Sequence, residues 1–442
     1  MLMRVFLALT LFVVVPVWSQ TQTASQMQTP PPVSGEGYST VIGSEARSNY
    51  LHAGFTVSTA YTDNVQAGSG VAPIADTSYS IWPTIALDQT TSRLHQTFTY
   101  RPGFTFYQHT GSLNQADQNV AIDLQYRLSP HLTASVRDSF RKSSNVFNQS
   151  YPFSGGAISG STQSPLVPVV APFADQLSND ASVEITYQFA RNGMVGASGV
   201  FANLHYPNPS EALGLSDSNS RGGAVFYSYR LSKTQYLGVT YQYAQVLGSL
   251  PGADYGAQTG SESDTQTHTL LGFYTIYLKP SLSLSLSGGP QHYDVSQAPF
   301  PSIRSWAPAA TASMGWQGNR TNFAASYSHA VAGGLGLVGA FDSNSASASA
   351  GWQVARTWTV GSMASYSITK NVSPFLTESN PGGHMISGTI AVRHPLSERL
   401  GLEFGYQRLQ QSYSNIAVVS NAPNSDRGYV SISYQLTRPL GR

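Results

Sequence analysis

The chain has 442 residues and a formal net charge of +1 at pH 7, with charged residues at only 10%, where ordinary soluble domains carry about 25%. There is no cysteine, which excludes disulfides, thiolate metal centres and thiol catalysis. The near-neutral balance argues against a nucleic-acid partner, and the 40 glycines and 25 tyrosines favour β-structure over helix.

Residues 1–19 read as a secretory signal. Arg4 is the positive flank, 5–17 the apolar core, and Val17, Trp18 and Ser19 offer a cleavage site with a small residue at its last position. The apolar run is shorter than the ~20 residues a spanning helix needs. Cleavage would remove Arg4 and no acid, so 23 basic residues become 22 against 22 acidic ones. Residues 20–49 are polar and contain Pro30, Pro31 and Pro32, the composition of a flexible periplasmic segment.

From residue 50 to 442 the pattern is regular. Strands are predicted at 51–63, 77–88, 93–108, 117–128, 132–145, 180–190, 194–206, 221–231, 235–247, 265–278, 282–294, 307–317, 321–331, 343–354, 358–370, 384–395, 400–412 and 426–438. Tight connections carrying Pro, Gly, Asn or Ser alternate with longer loops. This rhythm predicts an all-β fold, a transmembrane antiparallel β-barrel of about 18 strands with short periplasmic turns and long extracellular loops. A soluble propeller or solenoid would show a repeat of fixed period, and none is visible.

Period-two alternation sets the faces. In 282–287, Leu282, Leu284 and Leu286 oppose Ser283, Ser285 and Ser287. Val183, Ile185 and Tyr187 oppose Glu184 and Thr186, and Val430, Ile432 and Tyr434 oppose Tyr429, Ser431 and Ser433. The apolar set faces lipid and the polar set a lumen. Strands 93–108 and 265–278 alternate less cleanly and leave their register open. Aromatic girdles are expected from Tyr126, Phe189, Tyr229, Tyr236, Trp316, Trp352 and Trp358 beside short turns, and from Tyr61, Tyr206, Tyr293 and Tyr366 near long loops.

The alternation assigns Arg101, Asp123, Arg127, Arg137, Glu184, Arg230, Arg393 and Glu403 to the lumen. Five are basic and three acidic. With Ser, Thr, Gln, Gly and Tyr around them they define a mildly cationic surface suited to neutral or weakly anionic sugars; ordinary ion pairing along the wall is the plainer account of any one of them. The longest loop, 146–179, contains an apolar, proline-stiffened run, with Pro165, Leu166, Val167, Pro168, Val169, Val170, Pro172 and Phe173. Prolines disqualify it as a central strand, and a cluster of apolar residues in a loop implies contact. The two readings are a constriction folded into the lumen and a loop packed over the rim or against a neighbouring subunit. No catalytic motif is present, and nothing calls for a metal or cofactor.

The segment 54–65, GFTVSTAYTDNV, resembles the opening of the beta-barrel porin type 2 family, in which a strand ending Tyr-x-Asp-Asn enters the first external loop. The hairpin rhythm and the low-charge Tyr/Gly/Ser composition extend the likeness over 50–442. The resemblance implies an outer-membrane channel for export of, or association with, exopolysaccharide. Its partners would be outer-membrane lipid, a polysaccharide substrate, periplasmic export components and the barrel-insertion machinery. The C-terminus departs from the usual aromatic insertion signal, with Leu436 as the shifted candidate. A general diffusion or uptake porin and a plugged structural or adhesin barrel are the competing readings.

Overall fold

The computed structural model describes residues 48–65, 72–144, 147, 169–170, 174–208, 210–212, 214–249, 262–279, 281–297, 300–334, 336–372, 382–414 and 424–440. The expected signal at 1–19 and tail at 20–49 lie outside them, apart from the first residues of the first strand. The strands are β1 (Ser48–Thr62), β2 (Asp76–Thr90), β3 (Leu94–Tyr100), β4 (Gly103–Tyr107), β5 (Gln115–Ser129), β6 (Leu132–Ser143), β7 (Gln176–Tyr187), β8 (Gly193–His205), β9 (Asp217–Ser232), β10 (Gln235–Ser249), β11 (Glu262–Lys279), β12 (Leu282–Ser296), β13 (Ile303–Gln317), β14 (Thr321–Gly333), β15 (Ala340–Gln353), β16 (Thr359–Asn371), β17 (Gly383–Pro395), β18 (Leu400–Tyr413) and β19 (Asn424–Pro439).

Apart from β3 and β4, each strand pairs antiparallel with its neighbour in sequence, and β19 returns to β1, from Tyr50 opposite Pro439 to Thr62 opposite Arg427. The sheet therefore has no free edge. β3 and β4 together occupy one position between β2 and β5, so the ring has 18 staves. The expected strand 93–108 is thus broken, at Arg101 and Pro102, where proline cannot donate to the ladder.

Side-chain exposure follows the alternation. Val183, Ile185, Tyr187, Leu286, Ile390, Phe404, Val430 and Ile432 are exposed large apolar residues, while Ser283, Ser285, Ser367 and Ser431 on the opposite faces are buried. β11, whose register the sequence left open, resolves the same way: Thr265, Thr267, Thr269, Leu271, Phe273 and Thr275 are buried inside, and Leu270 and Leu278 are exposed outside.

The girdle holds at Tyr126, Phe189, Tyr229, Trp316, Trp352, Trp358, Tyr61 and Tyr366, all exposed. Three expected members are corrected. Tyr236 is 4% exposed because it shares the inward face with Thr240; it packs with Met194, Phe226 and, edge to face at 5.9 Å, Tyr277. Tyr293 falls on the inward face with Gln291 and packs near Val295. Tyr206, just beyond β8 on the side of Leu204, is fully buried.

A closed antiparallel ring with an apolar outer surface and a hydroxyl-rich interior is stable where lipid surrounds it, because the ladder pairs the backbone groups within the ring instead of leaving them to lipid. The protein is a transmembrane β-barrel of the bacterial outer membrane, with its short turns on the periplasmic side.

Candidate functional site: the lumen and its plug

The inner wall is largely a lattice of hydroxyls. Cross-strand pairs hold them in place: Thr275 with Ser285 at 2.9 Å, Ser326 with Ser347 and Ser328 with Ser345 at 2.7 Å, and Ser365 with Ser387 at 2.6 Å. Such pairs align wherever two inward Ser or Thr residues stand opposite in register.

The eight charged residues assigned from sequence all occur on inward faces or at their ends, and they do not converge on one point. Asp123 and Arg137 stand directly opposite, with Arg137 Nε donating to Asp123 Oδ2 at 3.0 Å. Arg393 and Glu403 are likewise opposite and ion-paired, and Glu403 also accepts the Tyr429 hydroxyl at 2.7 Å. The Arg101 guanidinium lies 5.0 Å over the inward Trp82 ring. Arg127 follows Asp123 on β5, Glu184 is on β7, and Arg230 donates to the Ser232 carbonyl beside the β9–β10 turn at 3.1 Å. Structural pairing accounts for two couples among the eight.

The extracellular mouth is bridged by loop segments. Val169 and Ala174 of the long loop pack with Ala212 and Leu215 from the β8–β9 connection and with Leu337 from the β14–β15 connection, against Leu204, Phe341 and Tyr413 of the wall. Leu204 is on β8 and Tyr413 on β18, with β9–β17 between them on one side and β19 and β1–β7 on the other. A single packed cluster touching both therefore bridges the lumen. Val170 and Phe147 form a second cluster with Met385 and Leu409 on the wall.

Two wall glutamines pin these segments. Gln411 of β18 accepts the Val170 N–H at 2.9 Å and donates to the Val170 carbonyl at 3.0 Å. Gln291 of β12 does the same for Val331, at 2.8 and 2.9 Å. A primary amide offers a donor and an acceptor side by side, so each glutamine satisfies both backbone groups of a residue on a side where no strand pairs with it.

The β14–β15 end is the second insertion. β13 pairs with β14 only as far as His329, opposite Ala310. Beyond that point β14 stays with β15 alone, and Val331 and Ala340 pack on Val295 of the inner wall. Gly336, at φ +86°, takes a left-handed backbone that a side chain would strain. Its carbonyl accepts the Ser216 N–H at 2.9 Å, tying this tip to the β8–β9 connection.

Of the predicted constriction, Val169 and Val170 are each 1% exposed inside the mouth; Pro165, Leu166, Val167, Pro168, Pro172 and Phe173 lie outside the described residues. The contributions of 206–216 and 330–341 were missed. The run GGLGLVG at 333–339 carried the signal, since an apolar glycine-rich loop tip has no reason to face water. Gln291, Gln411 and Arg427 were also missed, although Arg427 shares a face with Tyr429.

No family model and no curated protein matches this chain. Among solved structures it is similar to the ferric citrate transporter FecA in its unliganded form, at 10% identity and a TM-score of 0.44, covering 87% of this chain and 65% of that one. It is also similar to Acinetobacter baumannii OccAB4, at 10% identity and 0.41 over 88% and 98% of the two chains, and to Pseudomonas aeruginosa OpdQ, at 11% and 0.40 over 89% and 100%. The chain thus spans less than two thirds of the length of FecA.

Proposed function

We propose that this barrel is a gated outer-membrane channel for saccharides, serving export of exopolysaccharide or associated with it. It is not an enzyme in this reading. The observation that carries it is a lumen walled by hydroxyls and closed at one end by segments held through two side-chain amides. Hydroxyl walls exchange hydrogen bonds with sugars at little net cost, since each bond to the wall replaces one to water. A wide open barrel of this strand number would leave an aqueous channel, which a conduit for long polymers must seal when idle. The resemblance of 54–65 to the porin type 2 opening supports the same reading, with the periplasmic export components it implies as partners. The inward charged residues would tune passage.

The test is deletion of 161–173, with the barrel's folding checked by its heat-dependent gel mobility. Single-channel conductance and uptake of a large antibiotic should both rise. Unchanged conductance and uptake in a folded variant would rule out this loop as the gate. Vesicle-trapped polysaccharide efflux through the deleted channel should exceed that through the intact one; a channel that passes small ions but no polysaccharide is instead a diffusion porin.

A further inference from the structure

Arg427 projects from β19 into the lumen just below the plug. It is one inward row toward the periplasm from Ser425, which stands opposite Leu409. Two other lumen arginines, Arg137 and Arg393, have carboxylate partners. The Arg427 guanidinium makes no ion pair or hydrogen bond among the described residues, and its Nε is buried without a partner. Its near neighbour is the Phe147 ring, 5.6 Å from Cζ. Phe147 itself belongs to the cluster that holds Val170. The residue is half-buried, and a cation whose buried Nε has no acceptor needs a reason.

The next row supplies a setting. Tyr107 of β4 stands opposite Ser78, Ser78 opposite Ala60, and Ala60 opposite Tyr429. All four face inward. Ser78 and Ala60 are small and buried, at 3% and 2% exposure, so the wall between the two tyrosines is low. The Tyr429 ring lies flat because Gly405 has no side chain; a Cβ there would meet the ring at 2.3 Å. Tyr429 is held by Glu403, and Tyr107 accepts from Gln115 Nε2 at 3.2 Å. Asp117, the acid whose charge acts on Arg427, is buried and accepts the Ser144 N–H at 3.1 Å, and Glu403 is engaged by Arg393 and Tyr429. The result is a planar cationic fork above two aromatic rings.

We propose that Arg427, with Tyr107 and Tyr429, is a binding site for a carboxylate-bearing sugar, entered from the periplasmic side. This rests on the channel reading and names its substrate class. A guanidinium takes a carboxylate through two parallel N–H donors, and tyrosine rings cover the apolar faces of a pyranose. A ligand at Arg427 also competes with Phe147 for the cation's face, which places it in contact with the residue that packs on the plug.

The test is isothermal titration of the full-length refolded barrel with glucuronate, with a glucuronate oligomer and with glucose. Wild type should bind glucuronate and not glucose, and Arg427→Gln should weaken glucuronate at least about ten-fold, the scale of a lost charged hydrogen bond. Tighter binding of the oligomer marks a polymer segment as the source, and equal binding marks the free sugar. The outer-face variant Arg304→Gln should bind as wild type. Equal binding of glucuronate and glucose overturns the site, as does unchanged affinity in Arg427→Gln. If that variant fails to fold, Arg427→Lys decides: it keeps the charge and loses the fork, so affinity should fall, and unchanged affinity overturns the proposal. Conductance is recorded on the same preparations, so loss of binding with intact channels bears on the site alone.

Discussion

The side-chain amide of Gln411 holds the N–H and the carbonyl of Val170 across 241 residues of chain. The pair is buried, with Gln411 and Val170 each 1% exposed. Replacing Gln411 by Ala leaves two backbone groups unpaired in an apolar cluster, at about 1–3 kcal/mol for each. The wall itself is untouched, because the strand ladder does not use the side chain. We expect Gln411→Ala to fold normally while its single channels open more often or to larger conductance. Recordings indistinguishable from wild type would show that the clamp does not hold the mouth shut.

The two faces of β12 differ in what they tolerate. Leu284 faces outward opposite Met314 as the third residue of β12, toward the periplasmic end, where an Arg on the lipid side costs less than the about 2–4 kcal/mol of the midplane. Ser285 faces the lumen and bonds Thr275 at 2.9 Å. Leu284→Arg should lower the yield of inserted barrel, and Ser285→Arg should insert and change conductance. Comparing heat-modifiable protein in outer-membrane fractions checks the order; the reverse order would mean the faces are assigned the wrong way round.

Acid should loosen the mouth. Asp175 follows the plug residue Ala174, ahead of β7, and pairs with Lys142 at 3.0 Å. Burial pushes its carboxyl up, but hydrogen bonds from Ser144 and Lys142 and the Lys142 charge outweigh this and hold it below the usual carboxylate range. A carboxyl lowered by folding contributes stability above its unfolded pKa, about 4, and loses it as pH falls through the folded value. Conductance should therefore increase reversibly once pH drops below about 4. Asp175→Asn should remove that response and show the loosened state at neutral pH. A pH response that survives in the variant would assign it to another group.

Alternation alone determined most of the wall. A ring in which successive staves pair is written in local order, so period two and turn spacing sufficed to place Leu284 toward lipid and Ser285, Asp123, Arg137, Glu403 and Arg393 toward the lumen. The structure then set Asp123 opposite Arg137 and Glu403 opposite Arg393. It failed where the chain leaves the ladder. Pro102 breaks one stave, and after His329 β14 departs from β13 to bridge the mouth.

Tyr206 reads as a girdle residue because strand parity says nothing of what covers a strand's end. Only the closed ring brings Leu204, Phe341 and Tyr413 around Val169, and only the tertiary structure sets Gln411 against Val170 or leaves the Arg427 Nε without an acceptor among the described residues. These contacts depend on loops crossing a space between distant staves, and no periodicity along the chain encodes that crossing.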